Sequence, residues 1–425
     1  VAVITLVAVV MVLMGVAMPR FKKMQILVDR INLVAREILT GLPVIRAFGR
    51  EKKEEERFDD ANVALTKNML FTNRVMTFMM PLMMFIMYGV SILIVWVSTD
   101  KINTGTIQVG TMTAFITYSM QIVMAFLMIT MFSVMLPRAS VSAERIDEVL
   151  NTKVSIEDKP DTKANSVANG EVAFEHVSFA YPGAKENVLE DISFVAKTGQ
   201  TTAIIGGTGS GKTTLVNLIP RFFDVTKGKV MIDGTDIREM SQESLREAIG
   251  YVPQKGVLFS GTIDSNLRYG KEDATKEQVM EAARIAQAKE IIDGKQDGLD
   301  SAIAQGGSNV SGGQKQRFSI ARAIVKDPKI YIFDDSFSAL DYKTDAILRR
   351  ELSKKTKEAA VIIVAQRIST ILHAEQIIVL DEGKVAGIGT HQELFDHCAV
   401  YREIAESQLS EADIAKLKAQ GKEVM

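Results

Sequence analysis

The chain has 425 residues, enough for two or three domains with cores of their own. Fifty Lys and Arg against 52 Asp and Glu leave a net charge of −2, which argues against a general nucleic-acid binder with its basic stripe. The single cysteine, Cys398, rules out an internal disulfide framework and suits a soluble part that sits in the cytosol.

The mean hydropathy of +0.11 hides a strong asymmetry, since seventeen of the 21 methionines fall between Met11 and Met135. Val1 opens inside an apolar run, with no charged leader before it, so the sequence reads as a fragment lacking its N-terminal part. Three uncharged stretches are long enough to cross a hydrocarbon core as helices: 1–18, 75–97 and 110–137. Twelve basic residues between Arg20 and Arg74 contrast with the lone Lys101 in the loop Ser98 to Val109. By the positive-inside rule, 20–74 is cytoplasmic, the short loop is external, and the third span returns to the cytoplasm.

The cytoplasmic connection predicts two helices, Phe21 to Leu39 and Glu51 to Asn73, separated by the breaker cluster Thr40-Gly41-Leu42-Pro43. A helical hairpin with the apolar tip Val44 to Gly49 suits docking onto a soluble surface, and Pro81 is expected to kink the second span. Methionines recurring at helical spacing, such as Met76, Met80, Met83, Met87, Met124 and Met128, suit either packing against lipid or a surface for varied apolar molecules.

From Asn151 to Gly170 the composition turns polar, as a linker does, and strands then alternate with helices to about Gln408. Within this α/β part, Gly206-Gly207-Thr208-Gly209-Ser210-Gly211-Lys212-Thr213-Thr214 follows an apolar strand, Thr202 to Ile205, and precedes a helix, Leu215 to Ile219. That is a P-loop: its glycines let backbone N–H groups converge on phosphate oxygens, and the helix N-terminus adds a positive dipole end. Lys212 reaches the terminal phosphates of ATP, and the Thr213 hydroxyl can ligate Mg²⁺. The strand Ile330 to Phe333 ends in Asp334-Asp335, and a carboxylate there is placed to hold Mg²⁺ beside the loop. A third element, Ser311-Gly312-Gly313-Gln314, opens another helix with small residues and a hydroxyl, a second anion-binding shape. One γ-phosphate needs only one such loop, which suggests that two protomers share each ATP.

With these residues in place, nearly the whole chain resembles an ABC transporter of the exporter type. The fold class expected is an all-α transmembrane bundle fused to an α/β P-loop ATPase, with domains 1–150, linker 151–170, nucleotide-binding domain 171–408 and a charged tail 409–425. The resemblance assigns the three spans to the last three of six and makes the tip of 20–74 the coupling segment. It puts Tyr181 where an aromatic stacks on adenine, Gly206–Thr214 at Walker A, Gln254 at the Q-loop, where it joins Thr213 and Asp334 as a metal ligand, and Ser311–Gln314 at the signature that completes the partner's ATP site. Ile330–Asp334 takes the Walker B place, and Ser338-Ala339-Leu340-Asp341 the D-loop.

Two positions depart from the family pattern: its catalytic glutamate is Asp335 here, and its switch histidine is Gln366. Aspartate is one methylene short, and a misplacement of about 1 Å can cost on the order of a hundredfold in rate. Glutamine can hydrogen-bond but cannot carry an imidazolium's charge. The resemblance therefore implies a weakly hydrolytic own site and a second, non-identical exporter half bearing the glutamate and histidine. It also implies residence in the cell membrane with the ATPase in the cytoplasm, and efflux of a hydrophobic small molecule, a lipid or a peptide. A slow homodimeric exporter and an ATP-gated channel or regulatory subunit remain the alternatives.

Overall fold

A computed structural model describes residues 2–160, 162 and 166–408 and divides the chain into two compact units that meet between Lys153 and Val154. The expected tail 409–425 lies outside the described residues.

The first unit consists of three long helices: α1 (Ala2–Ala47), α2 (Glu51–Asn103) and α3 (Val109–Leu150). The break expected at Thr40 to Pro43 is not there, because α1 runs through Pro43 and stops eight residues after Leu39. A proline removes one backbone donor and costs an isolated helix about 3 kcal/mol. Here the antiparallel packing of α1 on α2 outweighs it, through the Arg57–Glu37 ion pair, the Asn68 amide on the Arg20 carbonyl at 3.0 Å, and Arg20 over the Phe71 ring at 4.7 Å. The real stop is Gly49, at φ +59°, a left-handed C-cap. Arg50 N–H donates to Ile45 O and Gly49 N–H to Arg46 O, which makes a Schellman closure.

The spans expected at 75–97 and 110–137 lie inside α2 and α3, and α2 continues as helix beyond Ser98 to Asn103, so the connection between the two helices is residues 104–108. Helix α2 is also unbroken across Pro81. Among the described residues two helices, Glu51–Asn103 and Val109–Phe126, are long and apolar enough to cross a membrane. The span expected at 1–18 lies in α1, where most of those side chains are outside the described ones. Met83 and Val123, backed by Ile86 and Phe126, form the buried seam between α2 and α3, whereas Phe85, Ile92 and Trp96 are exposed.

The second unit begins with β1 (Val172–Phe179), β2 (Leu189–Ala196), β3 (Thr201–Gly206), α4 (Lys212–Leu218), β4 (Lys227–Ile232) and β5 (Thr235–Asp236). It continues through α5 (Gln242–Glu247), β6 (Ile249–Val252), β7 (Gly261–Thr262), α6 (Ile263–Arg268), α7 (Lys276–Ile285), α8 (Lys289–Asp293) and β8 (Ala302–Ile303). Then come α9 (Gly312–Lys326), β9 (Ile330–Asp334), α10 (Tyr342–Lys355), β10 (Ala360–Val364) and α11 (Ile368–Ile371). It closes with β11 (Gln376–Asp381), β12 (Lys384–Gly389), α12 (His391–His397) and α13 (Ala399–Gln408).

Six strands in the order β12-β11-β3-β10-β9-β6 form the central sheet, parallel except at β12. Strands β9 and β10 are buried at every position, as expected when both faces are covered. Alternation sends Ile204, Ile332 and Ile362 to one core with α4 and the antiparallel sheet β2-β1-β4-β5. It sends Ala203, Ile205, Tyr331, Phe333 and Ile363 to the other core with α7 and α9. The C-terminal ends of β3, β10 and β9 come out side by side, with Val364 in register with both Ile204 and Asp334. An open α/β sheet places its ligand crevice at that edge.

Candidate functional site

At this edge lies a cleft of about 510 Å³, lined by the loop after β3, the start of α4, and Gln254, Asp334, Asp335, Val364 and Gln366. The end of α13 (Ile404, Ser407 and Gln408) completes its wall.

The loop's shape follows from its glycines at two places. A Cβ on Gly206 would collide with the Leu380 carbonyl of the neighbouring strand β11, so β3 can end there only without a side chain. Gly211 sits at φ +94°, where a Cβ would also come within 2.7 Å of Leu189 Cδ2. This left-handed residue turns the chain so that helix α4 starts at Lys212, three residues earlier than the sequence suggests. The N–H groups of the first turn are therefore free for an anion.

The Lys212 ammonium donates to the carbonyls of Gly206 (2.9 Å) and Gly207 (2.7 Å). Burial lowers its pKa, and the nearby carboxylates of Asp335 and Asp334 oppose that shift. Thr213 Oγ1 donates to Asp334 Oδ1 at 3.0 Å. Asp334 is buried, and that burial pushes its carboxyl above the usual range; the Thr213 hydrogen bond and Lys212 pull it back while Asp335 adds to the rise. The Ser210 hydroxyl is buried with no hydrogen-bond partner. A backbone cradle, an unpartnered hydroxyl and a buried carboxylate short of positive charge together fit a nucleotide's phosphates with a divalent cation. Among the described residues no group of three or more His, Cys, Asp or Glu could hold a metal, so phosphate oxygens would have to supply the remaining ligands.

Asp335 follows β9 at φ +47°, a left-handed conformation held by its N–H on the Val364 carbonyl at 3.0 Å. Its Oδ2 accepts from two amides, Gln254 Nε2 at 3.1 Å and Gln366 Nε2 at 2.7 Å. The residues expected at the Q-loop and switch positions, Gln254 and Gln366, thus meet on one carboxylate oxygen.

The other expected residues stand around this centre. The Tyr181 hydroxyl is 3.0 Å from Thr214 Oγ1, and its ring packs edge-on against Phe179 and Phe223; the ring flanks the cleft without lining it. Ser311 caps α9, exchanging hydrogen bonds with Gln314 across the intervening Gly312 and Gly313, outside the cleft. Asp341 caps α10 by accepting from Thr344 N–H, which holds its carboxyl below the usual range. Three residues were missed from the sequence. Gln316 accepts from Gly256 N–H and donates to Pro253 O, tying α9 to the loop that carries Gln254. Arg367 donates to Ser338 O, tying the loop after β10 to the loop after β9. Gln408 hydrogen-bonds the switch backbone from α13. Gln316 and Arg367 stand beside recognised motifs, a signal that could have found them; Gln408 carried no local signal.

Fold and site define a P-loop ATPase carried on the same chain as membrane helices. The family profile described as "ABC transporter" matches residues 189–338, and that described as "ABC transporter transmembrane region" matches 1–126. An uncharacterized ABC transporter ATP-binding protein of Mycobacterium tuberculosis (strain ATCC 25618 / H37Rv) is 46% identical over 402 residues, covering 93% of this chain and 69% of the relative. The ATP-dependent lipid A-core flippase of Desulfotalea psychrophila is 35% identical over 364 residues, covering 86% of this chain and 63% of the flippase. A solved bacterial Atm1-family ABC exporter with ATP bound superposes at a TM-score of 0.82 and 30% identity, over 96% of this chain and 72% of that one. The chain belongs to the ABC transporters: it is an exporter-type half-transporter, an ATPase joined to a membrane region, of the kind that works as a dimer.

Proposed function

We propose that this chain is the weakly hydrolytic half of an asymmetric ABC exporter. ATP lies against Gly206 to Thr214 of this chain and is closed over by the signature of a second, non-identical half. This chain's Ser311, Gly312, Gly313 and Gln314 in turn complete the partner's ATP site, where the partner supplies the glutamate and histidine lacking here. Thr213, Asp334 and the free Oε1 of Gln254 would hold Mg²⁺, which supplies neutralisation of charge on the β- and γ-phosphates. Lys212 pairs with the terminal phosphates, and Tyr181 stacks beside the base.

The observation that carries this reading is the double amide contact on Asp335 Oδ2. A carboxylate oxygen already engaged by two donors is a poor acceptor for water's proton, and aspartate reaches less far than glutamate. Nothing in that contact weakens the phosphate cradle, so binding persists while turnover falls. The basic connection 20–74 supports placing the ATPase in the cytoplasm and the helices in the cell membrane. The exposed apolar residues of α2 and α3 and the similarity to a lipid A-core flippase support a hydrophobic or amphipathic substrate.

The test compares Lys212→Ala with the equivalent lysine substitution in the partner, measuring ATPase of the purified transporter. The partner's substitution is expected to abolish turnover, and Lys212→Ala to leave a substantial fraction. Equal losses from the two would overturn the asymmetry.

A further inference from the structure

Helix α13 starts 61 residues past the end of the matched ATPase segment (399 against 338) and carries no motif, yet its last residue reaches the site. Gln408 Nε2 donates to the Gln366 carbonyl at 2.8 Å, and Gln408 Oε1 accepts from Ile368 N–H at 2.9 Å. One side-chain amide therefore spans the backbone on both sides of Arg367, satisfying a donor and an acceptor with a single planar group. This stretch carries Gln366 Nε2, 2.7 Å from Asp335. On the far side Arg367 reaches Ser338 O at 3.2 Å.

The helix behind Gln408 is anchored in the core. Tyr401 and Ala405 are fully buried in the main core, Ile404 packs against it, and the Tyr401 hydroxyl is 2.6 Å from His391 Nδ1. Ile404, Ser407 and Gln408 all line the cleft. The strand before the switch is held at Ala365 by its N–H on Ile204 O, and the loop re-enters regular structure at α11. Between those points Gln408 supplies the two backbone hydrogen bonds from outside the segment.

We infer that Gln408 is a positioning residue for the nucleotide site: it fixes the backbone at 366–368 so that the Gln366 amide stays aimed into the cleft. This rests on reading the cleft as the ATP site. Two hydrogen bonds from an exposed side chain predict a modest but measurable effect, roughly three- to tenfold on the lifetime of bound nucleotide.

The test uses the full transporter and 8-azido-ATP with Mg²⁺, reading photolabel retained on this chain after a timed wash. Gln408→Met keeps the side chain's bulk and removes both hydrogen bonds; it is combined with Gln366→Ala in a double-mutant cycle. The expected result is that each single substitution shortens retention by a similar factor and the double adds nothing further, with the melting temperature unchanged. Unchanged retention in Gln408→Met would overturn the inference. So would additive losses, or a loss in Gln408→Met with none in Gln366→Ala, since either makes the effect independent of the switch side chain. Failure of the unsubstituted chain to label would remove the nucleotide-site reading, and this inference with it. The outcome is separate from the asymmetry between the two halves, which the lysine comparison reads.

Discussion

The proposed asymmetry rests on Asp335 and Gln366, which in that reading limit hydrolysis while the phosphate cradle beside them stays intact. Replacing both with the family residues, Asp335→Glu and Gln366→His, lengthens the base and gives it a chargeable neighbour. Turnover at this site is expected to rise by about tenfold or more, measured as steady-state ATPase with the partner's site disabled. No increase would mean that the limit lies elsewhere in the site.

Asp334 gives a pH signature. Burial raises its pKa, so the fold favours the protonated form. That contribution to the stability of the nucleotide-free protein is present at low pH and lost as pH rises through the raised value. Mg²⁺ needs the ionised carboxylate, so stabilisation by Mg-ATP should grow over the same interval. Asp334→Asn is expected to raise the nucleotide-free melting temperature by about 2–4 °C at neutral pH while erasing most of the Mg-ATP shift. A variant that kept the full shift would show that Asp334 does not hold the metal.

Among the elements, the loop between β3 and α4 is the most tightly determined. Gly206→Ala would drive a methyl into the Leu380 carbonyl and must displace either β3 or β11. Loss of nucleotide binding together with about 2 kcal/mol or more of stability is expected, read by Mg-ATP titration and urea unfolding. Retention of wild-type affinity would contradict the geometry.

This loop was also legible in the sequence, since glycine spacing, a preceding apolar strand and a lysine are all local signals. Apolar spacing alone starts α4 at Leu215, whereas Gly211's left-handed turn lets the helix begin at Lys212 itself. The membrane-side helices were less legible. Thr40 to Pro43 carries every local mark of a break, yet α1 passes through it, because its stability comes from packing on α2 that no window of residues reveals. The convergence of Gln254 and Gln366 on Asp335 joins residues 81 and 31 positions apart, so it depends on the strand order of the sheet. The same is true of Gln408, whose neighbours carry no phosphate-binding pattern.

In the whole molecule, two units with separate cores divide the labour. The ATPase unit builds two cores around one sheet and brings its cleft to the strand ends. Among the described residues the helical unit buries a few apolar side chains, Leu27, Val34, Ala61, Met83 and Val123, and leaves many others exposed, as suits a part surrounded by lipid and by other helices. In the proposed asymmetric pair, one site turns over and the other stays closed on its nucleotide, so the transporter would cycle without fully separating its ATPase halves.

The most direct measurement is the identity of the nucleotide held by this chain during turnover. The purified transporter is supplied with radiolabelled Mg-ATP, stopped at steady state, freed of unbound label, and its bound nucleotide separated into ATP and ADP. The account predicts about one intact ATP per dimer, lost on Lys212→Ala and retained when the partner's lysine is replaced. Recovery of ADP alone, or of equal ATP and ADP from both sites, would contradict it.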